Sequence, residues 1–156
     1  MAKHLFFYET PVGRIGIAEN GTAVTNVTFA GEAVPKNWEQ TETDLLRKAG
    51  AQLQEYFCGR RKAFDFPIEP EGTPFRQKVW KALREIPYGE TRTYKEIACA
   101  VGNEKACRAV GMANNKNPVA IFIPCHRVIG SNGKLVGYGG GLDIKQYLLD
   151  LERRHA

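Results

Sequence analysis

The sequence has no apolar run approaching the roughly 18 residues of a membrane span. Residues 1–16 hold no signal-peptide core before charges and turn residues appear. The expectation is a protein without a membrane partner that stays where it is made: cytoplasmic, or nuclear in a eukaryote. Metal-binding residues are also sparse. The three histidines (His4, His126, His155) and four cysteines (Cys58, Cys99, Cys107, Cys125) are scattered, with no C-x-x-C pair. Four thiols, no metal and no cofactor are therefore expected. At 156 residues, 43% hydrophobic and 25% charged, the chain is neither disordered nor fibrous, and it can bury a core without disulfide staples.

Acidic residues are the minority, 17 against 22 Lys and Arg, for a net charge of +5. The excess is segmental: residues 1–72 carry −2, residues 75–117 carry +5 and the remainder +2. A polyanion partner would use such a bias, because neutralising phosphates releases condensed counterions. A solvated lysine-rich helix face would produce the same bias.

Residues 5–10, 14–19 and 22–29 are rich in aromatic and β-branched types and are separated by Pro11-Val12-Gly13 and Glu19-Asn20-Gly21. They predict three antiparallel strands. Leu45, Leu46, Ala49, Leu53 and Phe57 predict a helix over 43–57 that covers one face of that sheet. Residues 60–72, ending in FPIEPEG, read as a linker between a domain at 1–72 and another at 73–156.

Beyond the linker, Thr73-Pro74 opens a helix whose stripe is Phe75, Val79, Leu83 and Ile86. Thr93 and Glu96 form a capping box for a second helix, and a third opens at Asn103 after a tight Gly102-Asn103 turn. The pair resembles a helix-turn-helix. Ala106, Ala109, Gly111 and Ala113 give the third helix a low profile from which Arg108 protrudes; the same alanines would equally suit close packing inside the protein. Residues 119–123 form a continuous apolar run, expected as a buried strand or extended segment. A last helix is expected over 143–154, with Asp143 and Gln146 as a capping pair and Glu152 one turn beyond Leu148, where its carboxylate could reach an interior histidine.

The chemistry concentrates at Pro124-Cys125-His126-Arg127. A base or positive charge beside a cysteine favours its nucleophilic thiolate, and His126 and Arg127 are both adjacent. In extended chain, neighbouring side chains point to opposite faces, so Cys125 and His126 need a turn or a bridging water to cooperate. Glu152 would then orient the imidazole, as in a nucleophile, base and orienter triad. A purely structural Cys125 fits the same residues.

Residues 123–130, IPCHRVIG, resemble the signature of the O6-alkylguanine-DNA alkyltransferases, direct-reversal repair proteins that move an alkyl group from guanine to their own cysteine. The likeness continues through Pro87-Tyr88-Gly89-Glu90-Thr91, Arg108-Ala109-Val110-Gly111, Asn117-Pro118 and Tyr138-Gly139-Gly140-Gly141-Leu142. It implies an α+β chain with a ribonuclease H-like sheet-and-helix domain, then a mainly helical, winged helix-turn-helix-like domain.

The resemblance also implies roles. Cys125 would accept the alkyl group in a single turnover, with His126 as its base through a water and Glu152 as the histidine's partner. Tyr94 would face the extruded base and help protonate the leaving guanine. Arg108 would enter the base stack of double-stranded DNA, with Thr93, Tyr94, Ala106, Ala109, Gly111 and Asn117 at the DNA-binding surface, Asn117 also tying the helix-turn-helix to the cysteine segment. Val128, Tyr138, Gly139 and Gly140 would line the base pocket. A monomer is expected, with neither the family's N-terminal zinc ligands nor an appended phosphotriester-sensing domain. The alternatives are a non-catalytic binder of alkylated DNA that recruits other repair, a cysteine hydrolase, and a plain DNA-binding regulator. Cys125 argues against the first, and Arg108 with the basic helix pair against the second.

Overall fold

The computed structural model describes residues 3–135 and 137–156 and divides into two compact units, Met1–Pro70 and Glu71–Ala156. In the first, strands β1 (His4–Thr10), β2 (Gly13–Glu19) and β3 (Val24–Phe29) form the expected antiparallel meander. The tight β1–β2 turn is possible because Gly13 takes φ +104°. A short strand β4 (Glu39–Gln40), absent from the sequence reading, adds parallel to β1 and gives the order β3-β2-β1-β4. Two polar residues carry no alternation signal, so only the pairing with β1 defines them.

Helix α1 (Asp44–Phe57) starts on a Thr43 cap and buries Leu46, Ala49, Leu53, Tyr56 and Phe57. Gly50 lets it approach the sheet closely: a Cβ there would sit about 2.5 Å from the Tyr8 ring. Tyr8 reaches past it to donate a 2.9 Å hydrogen bond to the Leu46 carbonyl.

The second unit opens with α2 (Pro74–Arg84), capped by Thr73, followed by α3 (Tyr94–Ala100), whose Thr93/Glu96 capping box is complete. The third helix, α4, runs Cys107–Asn115 rather than from Asn103. Asn103 instead closes a turn, accepting the Ala106 N–H on its carbonyl and the Lys105 N–H on its side chain, as asparagine does in preference to entering a helix. Trp80 on α2 donates a 2.8 Å hydrogen bond to the Ala113 carbonyl and fixes α4 from behind. Helix α5 (Leu142–His155) completes the unit; its N-cap is Gly141, with no side-chain cap. The expected Asp143/Gln146 capping pair does not form, because Gln146 bonds Asp150 one turn on.

Residues 119–123 are buried as expected but form a compact turn, not a strand: Ile123 N–H returns to the Val119 carbonyl, and Ile121 adopts φ +73°. A β-branched residue in the left-handed region costs about 1–3 kcal/mol. The Asn117 side chain holds the turn, accepting from Val119 N–H at 3.0 Å and donating to the Ile123 carbonyl at 2.9 Å. Two further short strands escaped the sequence reading, β5 (Arg92–Thr93) and β6 (Val128–Ile129), which pair in parallel. That pairing brings the start of α3 beside the segment that follows Cys125.

Candidate functional site

Cys125, His126 and Arg127 form a single 3-10 turn, so the turn needed for cooperation between Cys125 and His126 is present. Pro124 starts it, and Asn114 on α4 donates to the Cys125 carbonyl at 3.3 Å. Asn117 therefore secures the approach to the cysteine and Asn114 the cysteine itself. Only the first of these was anticipated.

Cys125 is 4% exposed and His126 fully buried. Burial pushes the Cys125 thiol up to about 11, against the opposing pull of Asn117 and of the Lys145 charge. At neutral pH the resting sulfur is thus a buried thiol, not a standing thiolate. In consequence, iodoacetamide at pH 7 is expected to label exposed Cys58 and Cys99 first, with Cys125 labelling accelerating up to about pH 11. Peptide mapping across a pH series checks this; fast Cys125 labelling at pH 7 would contradict it.

His126 Nε2 lies 2.6 Å from Glu152 Oε2. A carboxylate only accepts, so Nε2 carries the proton and Nδ1, buried with no hydrogen-bond partner among the described residues, is the basic atom. Desolvation holds the imidazole below its ordinary value, assisted by the charges of Arg127 and Lys145 and opposed by Glu152, so it is neutral at pH 7.

Glu152 is 1% exposed. Burial alone would raise its pKa, but the hydrogen bonds and charges of His126 and Arg127 outweigh burial and hold it well below the usual carboxylate range. Arg127 grips both oxygens, Nε to Oε1 at 2.7 Å and Nη2 to Oε2 at 3.0 Å, and spends Nη1 on the Ile86 carbonyl at 2.7 Å. Gly89 N–H adds a bond to Oε1 at 3.2 Å. Gly89 is required on two counts: its φ is +81°, and a Cβ there would come within 2.8 Å of Ala156.

In the sequence Arg127 stands only as a charge beside the cysteine, and no motif there gives Lys145 a role. Lys145 is fully buried, and its ammonium donates to the Val128 carbonyl at 2.6 Å and the Gly137 carbonyl at 3.4 Å. Its signal was available: Lys145 lies three residues before Leu148 and seven before Glu152, on the buried stripe of α5. Val128 sits on β6, which pairs with β5, and its carbonyl holds Lys145.

Tyr94, the first residue of α3, lines a cavity of about 330 Å³ with Cys107, Arg108, Gly111, Asn115 and Gly137. Its hydroxyl is made less acidic by burial and then by Cys125, which places the two groups in one electrostatic neighbourhood. A Cβ at Gly111 would lie 3.9 Å from the Tyr94 ring. Arg108 and Ala109 are exposed on α4, Ala106 is its N-cap residue, and Thr93 spends its hydroxyl on capping α3. Gly139 is exposed, and Tyr138 and Gly140 are half-buried in the loop before α5. A larger groove of about 540 Å³ between α2 and α3 holds Thr93 but none of Cys125, His126 and Glu152.

A buried cysteine and its histidine, set behind a helix-turn-helix whose outer face presents arginine, define a DNA-directed group-transfer protein. Residues 74–154 match the family described as 6-O-methylguanine DNA methyltransferase, DNA binding domain, and residues 4–70 its ribonuclease-like domain. A methylated-DNA–protein-cysteine methyltransferase of Methanosarcina acetivorans is 54% identical over 149 residues, 93% of this chain and 95% of that protein. The constitutive enzyme of Bacillus subtilis is 51% identical, over 93% of this chain and 92% of its own. The crystal structure of Mycobacterium tuberculosis O6-methylguanine methyltransferase superposes with a TM-score of 0.92 at 44% identity, covering 99% of this chain and 94% of that one. M. tuberculosis OGT in complex with DNA gives 0.92 at 45% identity, covering 98% and 94%.

This chain belongs to the methylated-DNA–protein-cysteine methyltransferase family, the direct-reversal DNA repair enzymes that take the methyl group onto themselves and are spent by it. The mixed α+β fold expected from the sequence is the fold of that family. Among the described residues, no helix is long and apolar enough to cross a membrane.

Proposed function

We propose that Cys125 is the methyl acceptor, that the substrate is O6-alkylguanine in double-stranded DNA, and that the protein acts as a monomer inside the cell, with a domain at 1–72 and the reactive domain at 73–156. The observation that carries the reading is the His126–Glu152 contact, 2.6 Å long and wholly buried, immediately beside the cysteine. With Nε2 engaged by the carboxylate, Nδ1 is the atom that takes the thiol proton, through a water.

Arg108 occupies the gap in the base stack while the lesion swings into the cavity lined by Tyr94 and Gly137. The Cys125 proton passes to His126, and Glu152 stabilises the imidazolium that forms. Sulfur then attacks the alkyl carbon, the bond from that carbon to O6 breaks, and the electron pair leaves with the guanine. Tyr94, held protonated by its burial, donates to the departing base and makes it a better leaving group. Lys145 fixes the Val128 and Gly137 carbonyls that border the site and adds positive potential beside the sulfur.

The product is a thioether, with no electrophilic carbonyl for water to attack, so each molecule reacts once. The test is mass mapping after incubation with a duplex containing O6-methylguanine. One methyl group is expected, on the peptide bearing Cys125, in an amount equal to the lesions removed. A methyl group on Cys58, Cys99 or Cys107 instead would reassign the acceptor.

A further inference from the structure

The outward side of α4 carries two rows of side chains, each stepping four residues at a time along the helix. Cys107, Gly111 and Asn115 form one row, and all three line the cavity beside Tyr94. Arg108, Met112 and Lys116 form the other; Arg108 stands at the cavity rim, and Met112 and Lys116 are absent from the lining. The second row starts at the finger and leads away from the site that receives the extruded base.

Met112 is the most exposed large apolar residue among those described, at 61%. Nothing in the packing of the unit requires it: the buried side of α4 is Val110, Ala113 and Asn114. Exposed Ala109 beside the row keeps the profile low, so Met112 and Arg108 are the side chains that stand proud of it. Lys116, at the C-cap, is exposed and places a cation one turn further on.

We infer that Met112 and Lys116 form a second grip on the duplex, directed at the strand opposite the lesion: Met112 against its deoxyribose wall and Lys116 on its phosphate. This rests on the reading above that Arg108 takes the place of an extruded base. If one row of α4 borders the cavity that holds the extruded nucleotide, the row on the far side of the finger faces the strand left behind. A low-profile helix lying along a duplex meets deoxyribose rings on either side of the base edges; these offer apolar surface, and a flexible thioether side chain adapts to such surface without demanding a sequence. The charge is complementary too, since the segment 75–117 carries +5.

An apolar contact and a phosphate contact leave different signatures in salt. Met112→Ala should weaken binding to a duplex containing O6-methylguanine about tenfold, with the slope of log K against log salt unchanged, because no counterion is released by a methionine. Lys116→Ala should reduce that slope by about 0.9. Both variants should bind the same lesion in a single strand within twofold of wild type, since the opposing wall is absent. Met112→Glu, which sets a carboxylate against phosphates, should lose duplex binding more severely than Met112→Ala.

Equal weakening on duplex and single strand, or duplex binding by Met112→Glu at wild-type strength, would overturn the inference. Failure of the underlying reading has a separate mark: wild-type protein would transfer no methyl group to Cys125 from either substrate, and the inference would fall with it.

Discussion

Cys125→Ala protein incubated with a duplex carrying O6-methylguanine is expected to leave every lesion in place while still binding the DNA. The alanine fills most of the volume of a side chain that is 4% exposed, and the contacts that hold the turn run through its backbone, from Asn114 to the Cys125 carbonyl and from the Cys125 N–H to Ile123. The turn therefore persists without its sulfur. Arg108 has no ion-pair partner among the described residues and lies on the exposed face of α4, which the substitution leaves unchanged. Transfer measured by loss of labelled methyl from DNA should fall to the uncatalysed background, with binding measured by titration within a few-fold of wild type. Residual transfer at a substantial rate would remove Cys125 from the mechanism.

Glu152→Gln is expected to damage both stability and chemistry. Its two oxygens satisfy Arg127, His126 and the Gly89 N–H together, all buried or nearly so. An amide retains the shape but withdraws the charge, which leaves a guanidinium in the interior without its counter-ion; losing one partner of a buried pair costs about 3–5 kcal/mol. Chemical denaturation at pH 7 measures this. Transfer should slow as well, because the imidazolium formed when Cys125 gives up its proton is no longer stabilised.

The pH dependence separates the two proteins further. The folded-state value of Glu152 is depressed, so its contribution is fully present above about pH 4.5, the ordinary glutamate value, and fades as the pH falls toward the folded value. The stability gap between wild type and variant should therefore shrink steadily below about pH 4.5. A gap that stayed constant into strong acid would show that the carboxylate charge is not what holds the turn.

Much of this site could be read from the residues because its parts are local. The Thr93/Glu96 capping box and the proline after Thr73 act within one helical turn, and both helices begin where those signals fall. The four-residue step from Leu148 to Glu152 put a carboxylate on the buried face of α5, and its pairing with His126 follows from that face turning inward. Where the reading failed, the deciding partner was remote in sequence. The strands β4, β5 and β6 have two residues each, too few for a period, and exist only through pairing with distant chain. The apolar run 119–123 promised a strand, but Asn117 captured its two ends and drew it into a turn with Ile121 at positive φ.

The sequence by itself singled out Cys125, His126, Glu152 and Arg108 as candidates, because a thiol beside an imidazole in IPCHR, a carboxylate on the buried stripe of a helix and an arginine on a low-profile helix are patterns carried by the residue types themselves. Only the tertiary structure decided that the sulfur rests as a buried thiol, that Arg127 shares Glu152 with the histidine, and that Lys145 spans two carbonyls at the border of the site. Those are matters of desolvation and of distances across the fold. Both depend on which segments, far apart in the chain, exclude water from the same few atoms.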